Sequence, residues 1–200
     1  MSELTVAPIM KLYIDNSVRS HILQLRPEDI SILEQPATQN LIKSSSHFLM
    51  KLISNVLYSN ETPQDQLQKN ESLFLKFQSF FSYVREFAHL SGSELIYTVY
   101  LVQKLVKSQI ECFNEDKDCI MISDSNVGTT LVCAVILAMK IIRDVTELKN
   151  NSWWAKSFGI SLELLNRSEL EFYTQLDFNV VMDEQQFIRL YHKIESQSEI

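Results

Sequence analysis

The sequence is poor in the two residues that break helices. Its 200 residues include three glycines and four prolines, and every proline precedes residue 64. Because glycine and proline interrupt helices, residues 64–200 predict long helices with short connections. The same scarcity excludes most glycine-dependent phosphate binding, and no nucleotide-binding motif is present. The sequence therefore predicts an all-α fold.

Positive charge, cysteine and long apolar runs are also scarce. The formal net charge is -7, so the chain lacks the basic surface that binds nucleic-acid phosphates. Three cysteines, with no signal peptide in residues 1–8, indicate a reducing compartment, cytoplasmic or nuclear. The longest apolar run covers residues 131–139, far short of the roughly 20 residues that cross a bilayer. We expect no nucleic-acid partner and no transmembrane segment.

The first third of the chain predicts two helices. Pro27 begins a short one, and Thr38 caps an amphipathic helix whose apolar residues recur at helical spacing from Phe48 to Leu57. Such a helix either completes a core or recruits a partner. Residues 61–70 are polar and predict a linker. We therefore expect an N-terminal extension over residues 1–70 and one globular domain over residues 71–200.

The rest of the chain predicts six helices. The first carries apolar residues from Leu73 to Phe87, and the second follows a capping box at residues 91–94 and runs to about Ser108. A charged loop over residues 112–118 leads to the cap candidates Ser123, Asp124 and Ser125 and then to a helix over residues 127–144, apolar nearly all round and thus central. Trp153 begins the next predicted helix, and Gly159 ends it. Ser161 and Asp183 are the predicted caps of the last two helices.

The candidates for chemistry favour structural roles. The four histidines show no metal or nucleophile spacing, and six residues separate Cys112 from Cys119, which matches no standard zinc spacing. A catalytic Cys133 would need a distant histidine. The Trp153-Trp154 pair is either an aromatic platform or a buried anchor, and we favour the anchor. We predict no catalytic residue, no metal ligand and no cofactor.

Two charges interrupt apolar surfaces. Lys140 ends the apolar run, and Glu169 lies on an apolar helical stripe. A charge in such a place must be paired, must extend its head group to solvent, or must face a partner, because burying it alone is costly. The pattern leaves open an internal ion pair of Lys140 with Glu169 and a role in docking a partner.

Several segments resemble the cyclin family. AVILAMK at residues 134–140 is similar to its central-helix pattern ending in lysine, and LNRSELEF at residues 165–172 is similar to its fifth-helix pattern. NNSWWAKSFGIS at residues 150–161 resembles the fungal phosphate-pathway cyclins and the plant P- or U-type cyclins, with cyclin Y nearby. The order of elements over residues 77–194 is similar to a cyclin box followed by one more helix.

The resemblance implies a single five-helix cyclin box, with a helix before it and one C-terminal helix after it. It implies a non-enzymatic subunit that binds and activates a cyclin-dependent protein kinase, as cell-cycle regulators do. Lys140 and Glu169 are then the kinase-binding residues, and the resemblance thus favours docking over a purely internal role. ATP and magnesium would belong to the kinase.

Two departures from the family pattern support an alternative. Gly128 and Thr129 stand where the subgroup usually has a histidine-arginine pair, and Val102 replaces an acidic residue that commonly pairs with a base on the preceding helix. Lys76 is a loose candidate for that base. If kinase binding has been relaxed, the chain would be a kinase-independent helical interaction module with a cyclin-like fold.

Overall fold

A computed structural model describes residues 24–59, 61–114, 119, 121–143 and 148–197. Within these residues there are eight helices and no strand beyond a single bridge between Pro36 and Ser91. The all-α class is confirmed. The helices are α1 (Pro27–Glu34), α2 (Gln39–Leu57), α3 (Pro63–Ala88), α4 (Gly92–Asn114), α5 (Val127–Ile142), α6 (Asn151–Phe158), α7 (Leu162–Gln175) and α8 (Glu184–Glu195).

Helix α5 is the centre of the fold, as predicted. Every residue from Thr130 to Met139 is buried, and α5 packs on α4 and α7. The small side chains Ala134 and Ala138 lie one turn apart within this buried stretch. Because α5 is apolar all round, only its ends reach solvent, and Lys140 is the first exposed residue after the buried stretch.

Helix α2 completes the core. Its apolar face, which includes Leu41, Ile42, Phe48, Leu49 and Ile53, is buried, and the helix packs on α3, α4 and α8. Thr38 caps it, because its hydroxyl accepts a hydrogen bond from the backbone N–H of Leu41 at 3.2 Å. The pattern of this helix left open whether it completes a core or recruits a partner, and the structure shows that it completes the core.

The linker predicted over residues 61–70 is wrong, because α3 begins at Pro63. Thr62 caps the helix, with the backbone N–H of Asp65 donating to its hydroxyl at 3.3 Å, and Pro63 occupies the first helical position. The first buried residue of α3 is Leu73. The polar turns before it lack the apolar period by which the helix could be recognised. Since α3 crosses residue 70, the division of the chain there stays a prediction.

Helix α1 approaches α4 where glycine permits it. A Cβ on Gly92 would lie 2.9 Å from both the carbonyl oxygen of Ile32 and Cα of Leu33. The backbone N–H of Gly92 donates to the carbonyl of Gln35 at 3.0 Å, and the Ser93 hydroxyl donates to the carbonyl of Leu33 at 3.0 Å. Helix α1 is thus tied directly to the start of α4.

The C-terminal helix is held through the segment before it. Tyr97 on α4 donates to the carbonyl of Val180 at 3.0 Å, and Tyr100 donates to that of Val181 at 2.8 Å. Asp183 then caps α8 as predicted, accepting from the backbone N–H of Gln186 at 2.8 Å. The Tyr191 hydroxyl on α8 donates to the buried carboxylate of Asp29 at 2.9 Å.

Some predicted boundaries differ from the structure. Helix α4 runs to Asn114, so the predicted loop over residues 112–118 begins inside it and otherwise lies outside the described residues. None of the cap candidates Ser123, Asp124 and Ser125 is the N-cap residue of α5, which is Asn126. Asp124 instead accepts a hydrogen bond from Tyr58 at 2.6 Å. Among the described helices, none combines the length and apolarity needed to cross a bilayer.

Candidate protein-binding site

Lys140 and Glu169 meet at the surface where α5 and α7 pack together. Lys140 Nζ lies 2.6 Å from Glu169 Oε1, and 29 residues separate the two in sequence. The lysine side chain is 41% exposed and the glutamate 12% exposed. The two charges therefore neutralise each other within the chain, yet the ammonium group of Lys140 remains open to solvent. The predicted site residues are thus brought together by the fold.

Two asparagines extend this pair into a network. Asn151 Nδ2, at the start of α6, donates to Glu169 Oε2 at 2.7 Å and to Asn166 Oδ1 at 2.9 Å. Three helices therefore contribute to one polar cluster, which we call the polar centre: Lys140, Asn151, Asn166 and Glu169. Neither asparagine was predicted as a site residue, although Asn151 and Asn166 both lie in segments that resemble cyclins.

Helix α6 is anchored by aromatic rings. Trp154 is 1% exposed, and its ring stacks on that of Phe158 with centroids 6.0 Å apart. Phe158 in turn lies against Phe80 and Tyr83 of α3, each with its ring centroid 5.4 Å from that of Phe158. The anchor role of the tryptophan pair is confirmed for Trp154. The contacts of Phe158 fix the C-terminal end of α6, and the buried Trp154 ring anchors the helix one turn after Asn151.

Exposed apolar side chains lie beside the polar centre on α7. Leu162, Asn166 and Leu170 are spaced four residues apart, so they form one ridge beside Glu169. Leu170 is 61% exposed, and Leu162 is also exposed. An exposed apolar ridge beside a paired charge is suited to binding another protein.

A second ion pair lies at the same end of α5. Arg143 Nη2 donates to Glu94 Oε2 at 2.7 Å, Nε donates to Oε1, and Nη2 also donates to the carbonyl of His89 at 2.9 Å. The side chains are 14% and 2% exposed. Glu94 Oε2 also accepts from the backbone N–H of Ser91 at 2.8 Å, which confirms the predicted capping box of α4. No local pattern in the sequence predicts this role of Arg143.

The groups considered for catalysis lie in structural surroundings. Cys133 is buried in α5, and burial raises the pKa of its thiol to about 12. A thiol that stays protonated at neutral pH is a poor nucleophile. His47 packs edge-on against Phe74, and burial lowers its pKa. The described residues contain no cluster of three or more histidine, cysteine or acidic side chains suited to a metal ion.

The two departures from the family pattern are accommodated without strain. Gly128 is exposed in the first turn of α5, and a Cβ there would meet no atom within 4 Å. Val102 is fully buried on α4. An acidic residue at position 102 would therefore need a basic partner in the core, and valine removes that requirement.

Comparison with known proteins identifies one family. The family model described as Cyclin matches residues 71–180, a segment that includes α4, α5, α6, α7 and most of α3. All four residues of the polar centre lie inside the match. No curated protein and no solved structure matches the chain.

Proposed function

Because the chain belongs to the cyclin family, we propose that it binds and activates a cyclin-dependent protein kinase, with Lys140 and Glu169 as the kinase-binding residues. Cyclins are regulatory rather than catalytic, so the chain supplies no reacting group and the kinase holds ATP and magnesium. The resemblance of residues 150–161 supports the subgroup of fungal phosphate-pathway and plant P- or U-type cyclins. A cytoplasmic or nuclear kinase would be the partner.

The proposal rests on the placement of the Lys140–Glu169 pair. A pair that served stability alone would gain little at the surface, where such pairs contribute about 0–1 kcal/mol. Here the pair lies at the junction of two core helices, its ammonium is open, and the apolar ridge of Leu162 and Leu170 adjoins it. An exposed apolar ridge beside an open cation is the kind of surface that can bind another protein.

Activation follows from selective binding. A kinase is active when its αC helix swings inward, so that the αC glutamate pairs with the strand lysine that orients the ATP phosphates. A rigid helical surface that binds the inward conformation more tightly shifts the kinase toward it, by an amount set by the difference in affinity. The buried core of α5 and α7 supplies that rigidity. An interface of about 1,200–2,000 Å² would be sufficient.

A kinase-independent interaction module is the second candidate, and the exposed Gly128 favours it. Where the subgroup usually has a histidine-arginine pair, this chain presents a bare turn of α5. A cyclin fold without those side chains could bind another protein through the same apolar ridge. Recovery of a complex that contains no kinase would favour this candidate.

Affinity purification from the protein's own cells tests the proposal. The full-length wild type should recover a cyclin-dependent kinase in stoichiometric amount with kinase activity. Lys140→Glu and Glu169→Lys should lose the kinase while keeping their helical circular dichroism, because each reverses a charge at the interface centre. Glu171→Lys is the matched control, since it makes the same change two residues along α7, on the opposite side of the helix, in an exposed pair with Arg167. Tight kinase binding by both site variants would refute the assignment.

A further inference from the structure

We infer that Asn151 is a positioning residue of the kinase-binding site, an inference that rests on the proposed function. Its side chain holds Glu169 in the orientation that presents Lys140 to the kinase. Glu169 uses its two oxygens on different helices: Oε1 accepts from Lys140 on α5, and Oε2 accepts from Asn151 on α6. A carboxylate bound at both oxygens cannot rotate without losing one of these hydrogen bonds.

The chemistry of the cluster defines the orientation of the Asn151 amide. An ionised carboxylate only accepts hydrogen bonds, so Asn151 must turn its NH2 group toward Glu169. The same NH2 group donates to Asn166 Oδ1 on α7, which supplies a second acceptor on the same side. Because the aromatic anchor of Trp154 fixes α6, the position of Asn151 is set by packing rather than by the pair it serves.

The consequence for binding concerns the lysine donors. An ammonium group has three N–H donors, and Lys140 uses one of them on Glu169. Among the described residues the other two have no protein acceptor, and the side chain is open to solvent. A fixed Glu169 therefore keeps the remaining donors aimed outward at acceptor oxygens of the kinase. Without Asn151 the carboxylate of Glu169 could rotate, and binding of the kinase would then carry the entropic cost of fixing it.

The chain offers a matched control at the neighbouring position. Asn150 caps α6 by accepting from the backbone N–H of Trp153 at 2.9 Å, and none of its hydrogen bonds reaches Glu169. Asn150→Ala should thus lower the folding equilibrium constant about 5-fold, the usual effect of a lost cap, without altering the polar centre. Asn151→Ala removes the positioning hydrogen bond but leaves that cap intact.

The test measures the affinity of full-length variants for the kinase that the wild type recovers, purified from that eluate, by biolayer interferometry. Asn151→Ala should lower the affinity about 10-fold, because a hydrogen bond to a charged group is lost. Asn150→Ala should stay within about 2-fold of the wild type, although it lowers the thermal stability more.

Asn151→Asp supplies a readout that loss of structure would not produce. It keeps the size of the side chain but sets a second carboxylate against Glu169. We expect an affinity loss of about 100-fold at pH 8 that shrinks to about 10-fold at pH 5.5, because protonation of one carboxyl removes the repulsion and restores a hydrogen bond. Wild type and Asn150→Ala should lack this recovery at low pH.

The outcomes separate the two claims. Wild-type affinity in both Asn151 variants, together with loss of binding in Glu169→Lys, would overturn the positioning role and leave the proposed function standing. Equal losses in Asn150→Ala and Asn151→Ala, with no pH recovery in Asn151→Asp, would also overturn it, since α6 would then act only through stability. Failure of the wild type to recover any kinase would overturn the proposed function, and the positioning role with it.

Discussion

Two ion pairs stand three residues apart at the end of α5, and their surroundings differ. Lys140 pairs with Glu169 across α5 and α7, and its head group is open to solvent. Arg143 pairs with Glu94 across α5 and α4, and both partners are nearly buried. The guanidinium forms two hydrogen bonds to the carboxylate and one to the carbonyl of His89, whereas the ammonium forms one.

The difference in burial decides whether each pair satisfies all of its hydrogen bonds within the fold. A buried pair must satisfy its own hydrogen bonds, because each uncompensated charge in the core is costly. The planar guanidinium of Arg143 satisfies its hydrogen bonds with the carboxylate of Glu94, which also caps α4. An exposed pair can leave donors unused, and those donors are available to a partner. We therefore expect changes at Arg143 to affect folding and changes at Lys140 to affect binding.

The largest expected effect is on stability at the buried pair. Arg143→Ala leaves the Glu94 carboxylate buried without its base, so the free energy of unfolding should fall by about 3–5 kcal/mol in urea denaturation. Arg167→Ala, in the exposed pair with Glu171, should change it by about 0.5 kcal/mol or less. Similar values for the two variants would remove the distinction between the pairs.

The next effect separates pairing from binding at the exposed pair. The double variant Lys140→Glu with Glu169→Lys re-creates an ion pair with its charges exchanged, so its free energy of unfolding should stay within about 1 kcal/mol of the wild type. Its kinase affinity should still fall about 100-fold, or about 2.7 kcal/mol, because the partner meets reversed charges. Restored affinity in an interferometry titration would show that the pair acts only within the chain.

A smaller effect concerns two glycines, one close in sequence to the buried ion pair and one at the start of α5. Gly92 lies two residues before Glu94 in the buried region, and Gly92→Ala should cost about 1–3 kcal/mol of the free energy of unfolding, because its Cβ would press on the backbone of α1. Gly128→Ala, at the open start of α5, should instead stabilise the protein by about 0.5–1 kcal/mol. Thermal unfolding of both variants checks the opposite signs.

The smallest effect concerns an ion pair that is half exposed. The Arg26 guanidinium lowers the pKa of the buried Asp29 below 3.8, chiefly through a side-chain hydrogen bond. A depressed acidic pKa contributes stability above pH 3.8, and this contribution is lost as the pH falls through the folded-state value. Asp29→Asn should therefore lie about 1 kcal/mol below the wild type at pH 6, and the gap should narrow toward pH 2. The control Glu28→Gln, which removes the exposed acidic neighbour of the same arginine, should stay within about 0.5 kcal/mol of the wild type at pH 6.

Much of the candidate site could be predicted from the sequence, for an identifiable reason. Lys140 and Glu169 are conspicuous because each interrupts an apolar pattern, and a charge in that position needs an explanation. Asn151, Asn166 and Arg143 interrupt no apolar pattern, since Asn151 and Arg143 lie at helix ends like ordinary caps and Asn166 takes a solvent-facing position of α7. Their partners lie between 15 and 54 residues away, and local patterns do not report contacts at that distance.

The sequence alone determined the features that depend on neighbours in the chain. Thr38, Ser161 and Asp183 cap helices because each bonds a backbone N–H three residues ahead, and α5 is central because it is apolar all round. Only the tertiary structure decided which charge pairs with which, and which pair stays open. Burial and hydrogen-bond geometry are set by the packing of α4, α6 and α7 around α5, and no local spacing encodes that packing.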